Sequence, residues 1–289
     1  MSVSFGKVVV LGLVVCASLA HATTTERALT RDVRYGPDRL QTFDVYAPPG
    51  AKVAPIIIMV HGGAWRIGDK TNGRVVDAKV EHWVSKGFVF ISANNRLLPD
   101  ADPLEQARDV ANALAFAQAH AAEWGGDGSR VVLMGHSAGA HLVTLVATSK
   151  ELHAIPKPWL ATISLDTATL DVAATMQGSH YRLYDVAFGH DEAFWARTSP
   201  IEQLSREAEP FLLVCSTRRN DSCPQGDAFA AKARSLGVRA DVLAKDFSHR
   251  EINERLGSDV AYTLAVDEFL ASLDPALAAR IGASRAAHR

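Results

Sequence analysis

The sequence Gly-His-Ser-Ala-Gly at residues 135–139 constrains the fold of this chain more than any other feature. It lies between an apolar run at residues 130–134 and a helix-compatible run at residues 141–147. A strand, a tight turn of small residues and a helix, in that order, form a nucleophile elbow that lifts a serine clear of the sheet edge. The motif therefore predicts that Ser137 is a nucleophile at a helix N-terminus, where the N–H of Ala138 can stabilise an oxyanion.

A second glycine-containing loop follows another apolar run. Residues 55–60 are continuously apolar, which is typical of a central strand covered on both faces, and they lead into His-Gly-Gly-Ala-Trp at residues 61–65. Glycines just past a central strand let backbone N–H groups turn toward a site, so this loop is expected to supply the other half of an oxyanion hole. The expected donors are three consecutive residues: Gly62, Gly63 and Ala64. Trp65 is expected to pack the loop or to line the substrate pocket.

Apolar runs alternate with helix-compatible segments along the rest of the chain. The expected strands lie at residues 42–47, 55–60, 87–92, 130–134, 159–165, 211–215 and 238–244. The expected helices lie at residues 75–86, 104–124, 141–147, 228–236 and 258–273, and the tail after Asp274 is expected to fray. This rhythm predicts an α/β fold, with a mostly parallel central sheet flanked by helices on both faces. At 289 residues the chain is expected to form one catalytic domain, residues 23–289, behind a leader.

One long segment carries no strand signal. It spans about residues 167–210 and is rich in aromatic side chains. A long insertion beyond the C-terminal end of a strand is where a lid or pocket wall is found, so these rings are expected to contact substrate together with Trp65. They are Tyr181, Tyr184, Phe188 and Trp195. The alternative is that they only pack the insertion against the body of the protein.

A serine nucleophile requires a base and a carboxylate that orients the base. The loops at the C-terminal ends of parallel strands converge, and His249 follows the last expected strand there, which makes it the expected base. The other candidates are His141, His153, His180, His190 and His288. The order serine, aspartate, histidine favours Asp221, in the loop after residues 211–215, as the carboxylate. Asp227 and Asp246 are the alternatives.

The first residues read as a targeting segment. Lys7 precedes a short apolar run at residues 8–20, and Ala-His-Ala at residues 20–22 fits a signal-peptidase site, so cleavage near Ala22 and export to the periplasm or the medium are expected. The run is short for a membrane span, and stable membrane insertion is not expected. Cleavage would leave Cys215 and Cys223, which are a candidate disulfide in an oxidising compartment, with free thiols as the alternative.

Taken in order, these motifs resemble the α/β-hydrolase superfamily, in particular the serine esterases and lipases related to hormone-sensitive lipases and kynurenine formamidases. The resemblance rests on H-G-G-A-W, G-H-S-A-G, Ser199-Pro200 and the two loops that hold Asp221 and His249, over about residues 35–273. It implies an α/β-hydrolase fold, a triad of Ser137, Asp221 and His249, and neither a metal nor an organic cofactor.

Composition narrows the function further. The formal charge is −2 and no basic stripe with interleaved aromatic residues occurs, so nucleic-acid binding is not expected. The sequence therefore predicts a secreted serine carboxylesterase whose partner is a small-molecule ester with a short acyl chain or an aryl group. An arylformamidase and a feruloyl or acetyl-xylan esterase are alternatives with the same chemistry. A catalytically silent binding module on the same fold is the alternative from another class.

Overall fold

The computed structural model describes residues 1–2, 27–167 and 169–287. Most of the expected signal peptide, residues 3–22 with the cleavage site, lies outside the described residues, as does His288. In the part of the chain that is described, no helix is both long and apolar enough to cross a bilayer.

Within these described ranges, an eight-stranded sheet forms the centre of the molecule, in the order β1-β2-β4-β3-β5-β6-β7-β8. The strands are β1 (Ala28–Arg34), β2 (Thr42–Ala47), β3 (Ala54–Val60), β4 (Val89–Ala93), β5 (Gly126–His136), β6 (Ala161–Leu165), β7 (Phe211–Ser216) and β8 (Ala240–Lys245). Strands β1 and β2 pair antiparallel, β2 also pairs antiparallel with β4, and all remaining pairs are parallel. The predicted mostly parallel sheet is confirmed. Strand β1 was not expected, because its largely exposed residues lack an apolar pattern.

Helices cover both faces of the sheet. They are α1 (Gly73–Ser85), α2 (Pro103–His120), α3 (Ala138–Thr148), α4 (Lys150–His153), α5 (Val172–Gln177), α6 (Arg182–Phe188), α7 (Glu192–Thr198), α8 (Pro200–Gln203), α9 (Ser222–Ser235), α10 (His249–Glu254), α11 (Val260–Leu273) and α12 (Pro275–Ala287). Because successive strand residues point to opposite faces, the apolar run of β3 feeds two cores. Ile56 and Ile58 belong to the core under α2, α3 and α9, whereas Ile57 and Met59 belong to the core under α1 and α11.

Two helix ends differ from the expected bounds. Helix α2 begins at a capping box formed by Asp102 and Glu105 and ends at His120, and a 3-10 turn then runs to Gly125, whose φ of 69° stops it. The expectation that the tail frays after Asp274 is wrong for residues 275–287. Helix α12 forms there because Leu277 and Ile281, four residues apart, are both buried in the core under α11.

The insertion between β6 and β7 consists of the four short helices α5 to α8 and covers the C-terminal edge of the sheet. Asp171 and Asp191 cap the first turns of α5 and α7 with their side chains. The hydroxyl of Ser199, just before Pro200, accepts hydrogen bonds from the N–H groups of Val172 and Ala173. Ser199 therefore ties the end of the insertion to its beginning, as a pocket wall requires.

Candidate active site

The turn between β5 and α3 holds Ser137 in a strained conformation. Its φ is 57° and its ψ is −119°, a combination that a residue with a side chain rarely adopts. The flanking glycines make the turn possible, because a Cβ on Gly135 would lie 2.3 Å from the carbonyl oxygen of Gly139. A Cβ on Gly139 would lie 2.4 Å from the carbonyl oxygen of Val60. A side chain at either position would collide with a backbone carbonyl, so the turn requires glycine at both positions.

Three side chains from three loops meet at this edge of the sheet. Ser137 Oγ lies 2.9 Å from Nε2 of His249, and Nδ1 of His249 lies 2.5 Å from Oδ2 of Asp166. An ionised carboxylate can only accept hydrogen bonds, so the imidazole proton sits on Nδ1 and Nε2 is free to accept from the serine hydroxyl. That arrangement is what proton transfer from Ser137 to His249 requires.

Asp166 follows β6 and is completely buried. Four groups donate to its carboxylate: His249 Nδ1, the N–H of Ser216, the hydroxyl of Ser222 and Nη1 of Arg219. Burial by itself would raise the pKa of Asp166, but the hydrogen bonds from His249 and Ser222 and the charge of Arg219 outweigh it. The pKa of this carboxyl is therefore held well below its usual range, and Asp166 is an anion.

Asp221 does not contact His249, which corrects the assignment expected from the sequence. Its carboxylate binds the guanidinium of Arg219, with Oδ1 3.1 Å from Nε and Oδ2 3.2 Å from Nη2, and it lines a neighbouring cavity. The other candidates also lie elsewhere, because Asp227 is exposed and Asp246 pairs with Arg218. A signal for Asp166 was present, since it too directly follows a predicted strand between Ser137 and His249. Chain order alone could not decide between two aspartates after neighbouring strands.

Several contacts fix the backbone of His249, the first residue of α10. Ser248 and Glu251 form a capping box at the start of that helix. His136 Nε2 lies 2.9 Å from the carbonyl oxygen of His249, and burial lowers the pKa of His136 to about 3. His136 is therefore neutral and donates to that carbonyl. At the other end of α10, Nζ of buried Lys79 donates to the carbonyl of Asn253.

The loop after β3 lies directly beside the serine. A Cβ on Gly62 would be 2.9 Å from the Cβ of Ser137, and Gly63, Ala64 and Trp65 all have positive φ angles, of 130°, 52° and 58°. Within the described residues no acceptor takes the N–H of Gly63 or of Ala64. Ala64 and Ala138 both line the cavity next to Ser137. The loop thus leaves unpaired N–H groups near the serine, as an oxyanion hole requires.

A cavity of about 330 Å³ opens at Ser137 and His249. Its walls combine aromatic, aliphatic and hydroxyl side chains: Trp65, Tyr181, Tyr184, Leu183, Thr167 and Thr169. Phe188 and Trp195 are not among its walls, which corrects the expectation that they contact substrate. The ring of Phe188 packs 4.9 Å from that of Trp65, and Trp195 donates to the carbonyl of Phe188. Both rings therefore support the wall from behind.

Buried His141 holds Trp65 in the cavity wall. Its Nδ1 accepts from the indole N–H of Trp65 at 3.2 Å, and its Nε2 donates to the carbonyl of Thr198 at 2.8 Å. Burial lowers the pKa of His141 to about 4, so the ring is neutral. The remaining described histidines among the candidate bases lie away from Ser137, since His153 pairs with Glu209, His180 pairs with Asp185 and His190 is exposed.

Cys215 and Cys223 are joined by a disulfide bond in this structure, which closes the loop that holds Arg219 and Asp221. Among the described residues, no group of three or more histidine, cysteine, aspartate or glutamate side chains is arranged to hold a metal ion.

The chain is similar to known esterases in both sequence and structure. Residues 43–178 match the family model described as BD-FAE. Esterase LipQ of Mycobacterium tuberculosis is 28% identical over 278 residues, which cover 84% of this chain and 62% of LipQ. A truncated carbohydrate esterase from gut microbiota superposes with a TM-score of 0.74 at 18% identity, over 90% of this chain and 99% of that one. The chain is thus similar in sequence to esterases and has the fold of α/β-hydrolase esterases.

Another solved structure, esterase 2 of Thermogutta terrifontis phosphonylated by sarin, matches with a TM-score of 0.69 at 21% identity, over 86% of this chain and 95% of that one. The chain spans less than two thirds of the length of the mycobacterial esterases it matches, which are longer proteins. The structural matches, all distant in sequence, establish the α/β-hydrolase fold that the sequence motifs imply.

Proposed function

We propose that this protein is a serine carboxylesterase with Ser137 as nucleophile, His249 as general base and Asp166 as the orienting carboxylate. The observation that carries the proposal is the unbroken chain of contacts from Ser137 Oγ to His249 Nε2 and from His249 Nδ1 to Asp166. An unassisted serine hydroxyl is a poor nucleophile at neutral pH, and this arrangement supplies what it lacks.

The proposed reaction proceeds through an acyl-enzyme. Ser137 Oγ attacks the ester carbonyl while its proton moves to His249 Nε2, and the carbonyl oxygen becomes an oxyanion that accepts from backbone N–H groups. The proposed donors are the N–H groups of the loop after β3 and of the elbow: Gly62, Gly63, Ala64 and Ala138. The tetrahedral intermediate collapses, the imidazolium protonates the departing alkoxide, and the alcohol leaves. Water, deprotonated by His249, then attacks the acyl-enzyme, and the acid product and free Ser137 are released.

The cavity supports a substrate with a short acyl chain or an aryl group. Its volume of about 330 Å³ and its open aromatic wall, with Tyr181 73% exposed, suit a flat or compact group. Aryl esters such as feruloyl esters, and acetylated sugars, are therefore included among the proposed substrates, and one structural neighbour is itself called a carbohydrate esterase. Cleavage of N-formylkynurenine would use the same groups, and a screen that includes this amide separates the two activities.

We also propose that residues 1–22 direct export and are removed. The disulfide between Cys215 and Cys223 supports this proposal, because such bonds persist in oxidising compartments. The N-terminal sequence of protein recovered from periplasm or medium should begin after Ala22. Recovery of an intact N-terminus in the cytoplasm would contradict the proposal.

The test of the esterase activity uses Ser137→Ala with p-nitrophenyl acetate and a fluorophosphonate probe. The natural chain should hydrolyse the ester and take up one probe per molecule, whereas the variant should do neither. Hydrolysis that survives Ser137→Ala would remove Ser137 as nucleophile. A folded natural chain that the probe does not label would instead support the silent binding module.

A further inference from the structure

The bridged loop, residues 215–223, runs from the end of β7 to the start of α9 and supplies three of the four hydrogen bonds to the carboxylate of Asp166. Of the four groups that donate to its carboxylate, only His249 lies outside this loop. The other three come from between the bridged residues Cys215 and Cys223. They are the N–H of Ser216, the hydroxyl of Ser222 and the guanidinium of Arg219. The disulfide thus closes a loop whose three donors, which we call the cradle, bind the carboxylate of Asp166.

Arg219 is the only member of the cradle that carries a charge. Its Nη1 lies 3.1 Å from Oδ2 of Asp166 and 2.9 Å from Nδ1 of His249, while Nε and Nη2 bind both oxygens of Asp221. A guanidinium is a rigid planar fork, so the two-point contact with Asp221 also fixes the direction in which Nη1 points. Asp221 therefore orients Arg219, and Arg219 in turn holds Asp166.

This cation also lies next to the imidazole that must become charged during the reaction. A positive charge within about 4 Å disfavours a second positive charge on the ring, and a carboxylate at that distance favours it. Asp166 and Asp221 together carry one negative charge more than Arg219 carries positive charge. Removing either partner of the Arg219 and Asp221 pair should therefore change the electrostatic balance at His249, and in opposite directions.

We propose that Arg219 is a positioning residue for the esterase reaction, held by Asp221 within the disulfide-closed loop. It fixes the carboxylate of Asp166 and, with Asp221, sets the net charge beside His249. This inference rests on the proposed function, because it assigns Arg219 a role only through Asp166 and His249. It also explains why an aspartate stands at position 221 without contacting the base.

Three further titratable side chains near the imidazole of His249 are neutral. His136, on β5, lies with its ring 4.7 Å from that of His249 and is neutral. Tyr184, on α6, faces Arg219, and burial raises the pKa of its hydroxyl, so it is neutral as well. Tyr262, on α11, faces Asp166, and burial raises the pKa of its hydroxyl well above the usual value. Glu251, two residues further along α10, is charged and pairs with Arg218 and Arg255. Arg219 is the cation that contacts the imidazole, and Asp221 is the anion that pairs with Arg219.

The experiment compares the pH dependence of kcat/KM for Arg219→Met, Arg219→Lys and Asp221→Asn with p-nitrophenyl acetate. Arg219→Met should lower kcat by about 10- to 100-fold with little change in KM, because Asp166 loses a charge-assisted hydrogen bond. The acidic limb of the plot of kcat/KM against pH for Arg219→Met should move to higher pH by roughly one unit. Arg219→Lys keeps the charge without the fork, so its limb should stay close to that of the natural chain while kcat falls.

Asp221→Asn should move the acidic limb to lower pH, because Arg219 then loses its neutralising partner. The matched control is Arg239→Met, which removes an arginine that binds an aspartate two residues further on, Asp241, with the same two nitrogens but at the opposite end of β8 from His249. A purely structural role for Arg219 would lower kcat without moving the limb. Unmoved limbs in both Arg219→Met and Asp221→Asn would therefore overturn the inference.

Folding of each variant is checked by circular dichroism and thermal unfolding. If Arg219→Met does not fold, Asp221→Asn carries the test alone, since a limb at lower pH supports the inference and an unmoved limb overturns it. Failure of the proposed function looks different, because Ser137→Ala and Asp166→Asn would then retain full activity. Loss of activity in those two variants, with natural kinetics in Arg219→Met, would overturn only the role of Arg219.

Discussion

Asp166 and Asp221 are chemically identical side chains at the ends of neighbouring strands, and their partners separate their roles. Asp166 is fully buried, and its carboxylate accepts a hydrogen bond from Nδ1 of His249. The side chain of Asp221 is nearly half exposed and forms an ion pair with Arg219. A carboxylate that keeps the imidazole in one tautomer must touch Nδ1, and only Asp166 does so among the described residues.

The two aspartates can be separated by asparagine substitutions. Asp166→Asn should lower kcat by about 10³- to 10⁴-fold, because the amide no longer selects the tautomer in which Nε2 accepts from Ser137. Asp221→Asn should lower kcat by no more than about tenfold at its optimal pH, since it acts only through Arg219. Steady-state hydrolysis of p-nitrophenyl acetate measures both. Exposed Asp227→Asn is the control, and a larger loss in Asp221→Asn than in Asp166→Asn would refute the assignment.

The insertion of α5 to α8 contains two kinds of aromatic residue that the sequence cannot distinguish. Tyr181, just before α6, is exposed in the cavity wall, whereas Phe188, at the end of α6, is 2% exposed and packs against Trp65 and His141. Both lie in the same short stretch of the insertion, seven positions apart. Only the way α6 lies over the sheet decides which ring faces substrate.

Alanine substitutions of Phe188 and Tyr181 should therefore have different effects: the first should lower stability, and the second should weaken the binding of aryl substrates. Phe188→Ala should destabilise the protein by about 3–5 kcal/mol, because it leaves a cavity behind Trp65. Tyr181→Ala should leave the free energy of unfolding within about 0.5 kcal/mol of the natural value. The same change should raise KM for phenyl or naphthyl esters by roughly tenfold, through lost aromatic contact. Urea unfolding and kinetics on aryl against methyl esters test this, and equal effects of the two changes on stability would contradict it.

For the molecule as a whole, the buried histidines make folding sensitive to acid, because burial lowers the pKa of His61, His136 and His141. The pKa values of His136 and His141 are lowered to about 3 and about 4, mainly by burial, from an ordinary value of 6.5. Above pH 6.5 both rings are neutral in the native and the unfolded chain, so they have no effect there. Below it the unfolded chain takes up protons that the native chain does not, so stability falls as the pH drops toward 4.

The variant His141→Gln tests this dependence, since glutamine does not titrate and can still donate to Thr198. From pH 8 to pH 5 the natural chain should lose about 2 kcal/mol more unfolding free energy than the variant, because one histidine then takes up a proton only in the unfolded state. Urea unfolding at both pH values measures the difference. At pH 8 this contribution vanishes, and equal losses in the two proteins would show that His141 does not contribute.

Local sequence patterns predict seven of the eight strands, the elbow and the loops in which the site lies. Continuous apolar runs indicate central strands, because both faces of such strands are covered, and the structure confirms this at β3 and β5. The glycines around Ser137 and at Gly62 and Gly63 marked the two loops that the structure brings together. Each of these signals is local, since it depends on residues within about a dozen positions of one another.

Residues of the same kind at comparable positions differ in role because of their contacts in the folded chain. The tertiary structure brought Asp166 rather than Asp221 to His249, and it turned Tyr181 toward the cavity and Phe188 away from it. The burial of Leu277 and Ile281 in the core also stabilises helix α12. These outcomes depend on contacts between residues far apart in the sequence, such as the 83 positions between Asp166 and His249. No local pattern encodes which of two equivalent side chains such a contact selects.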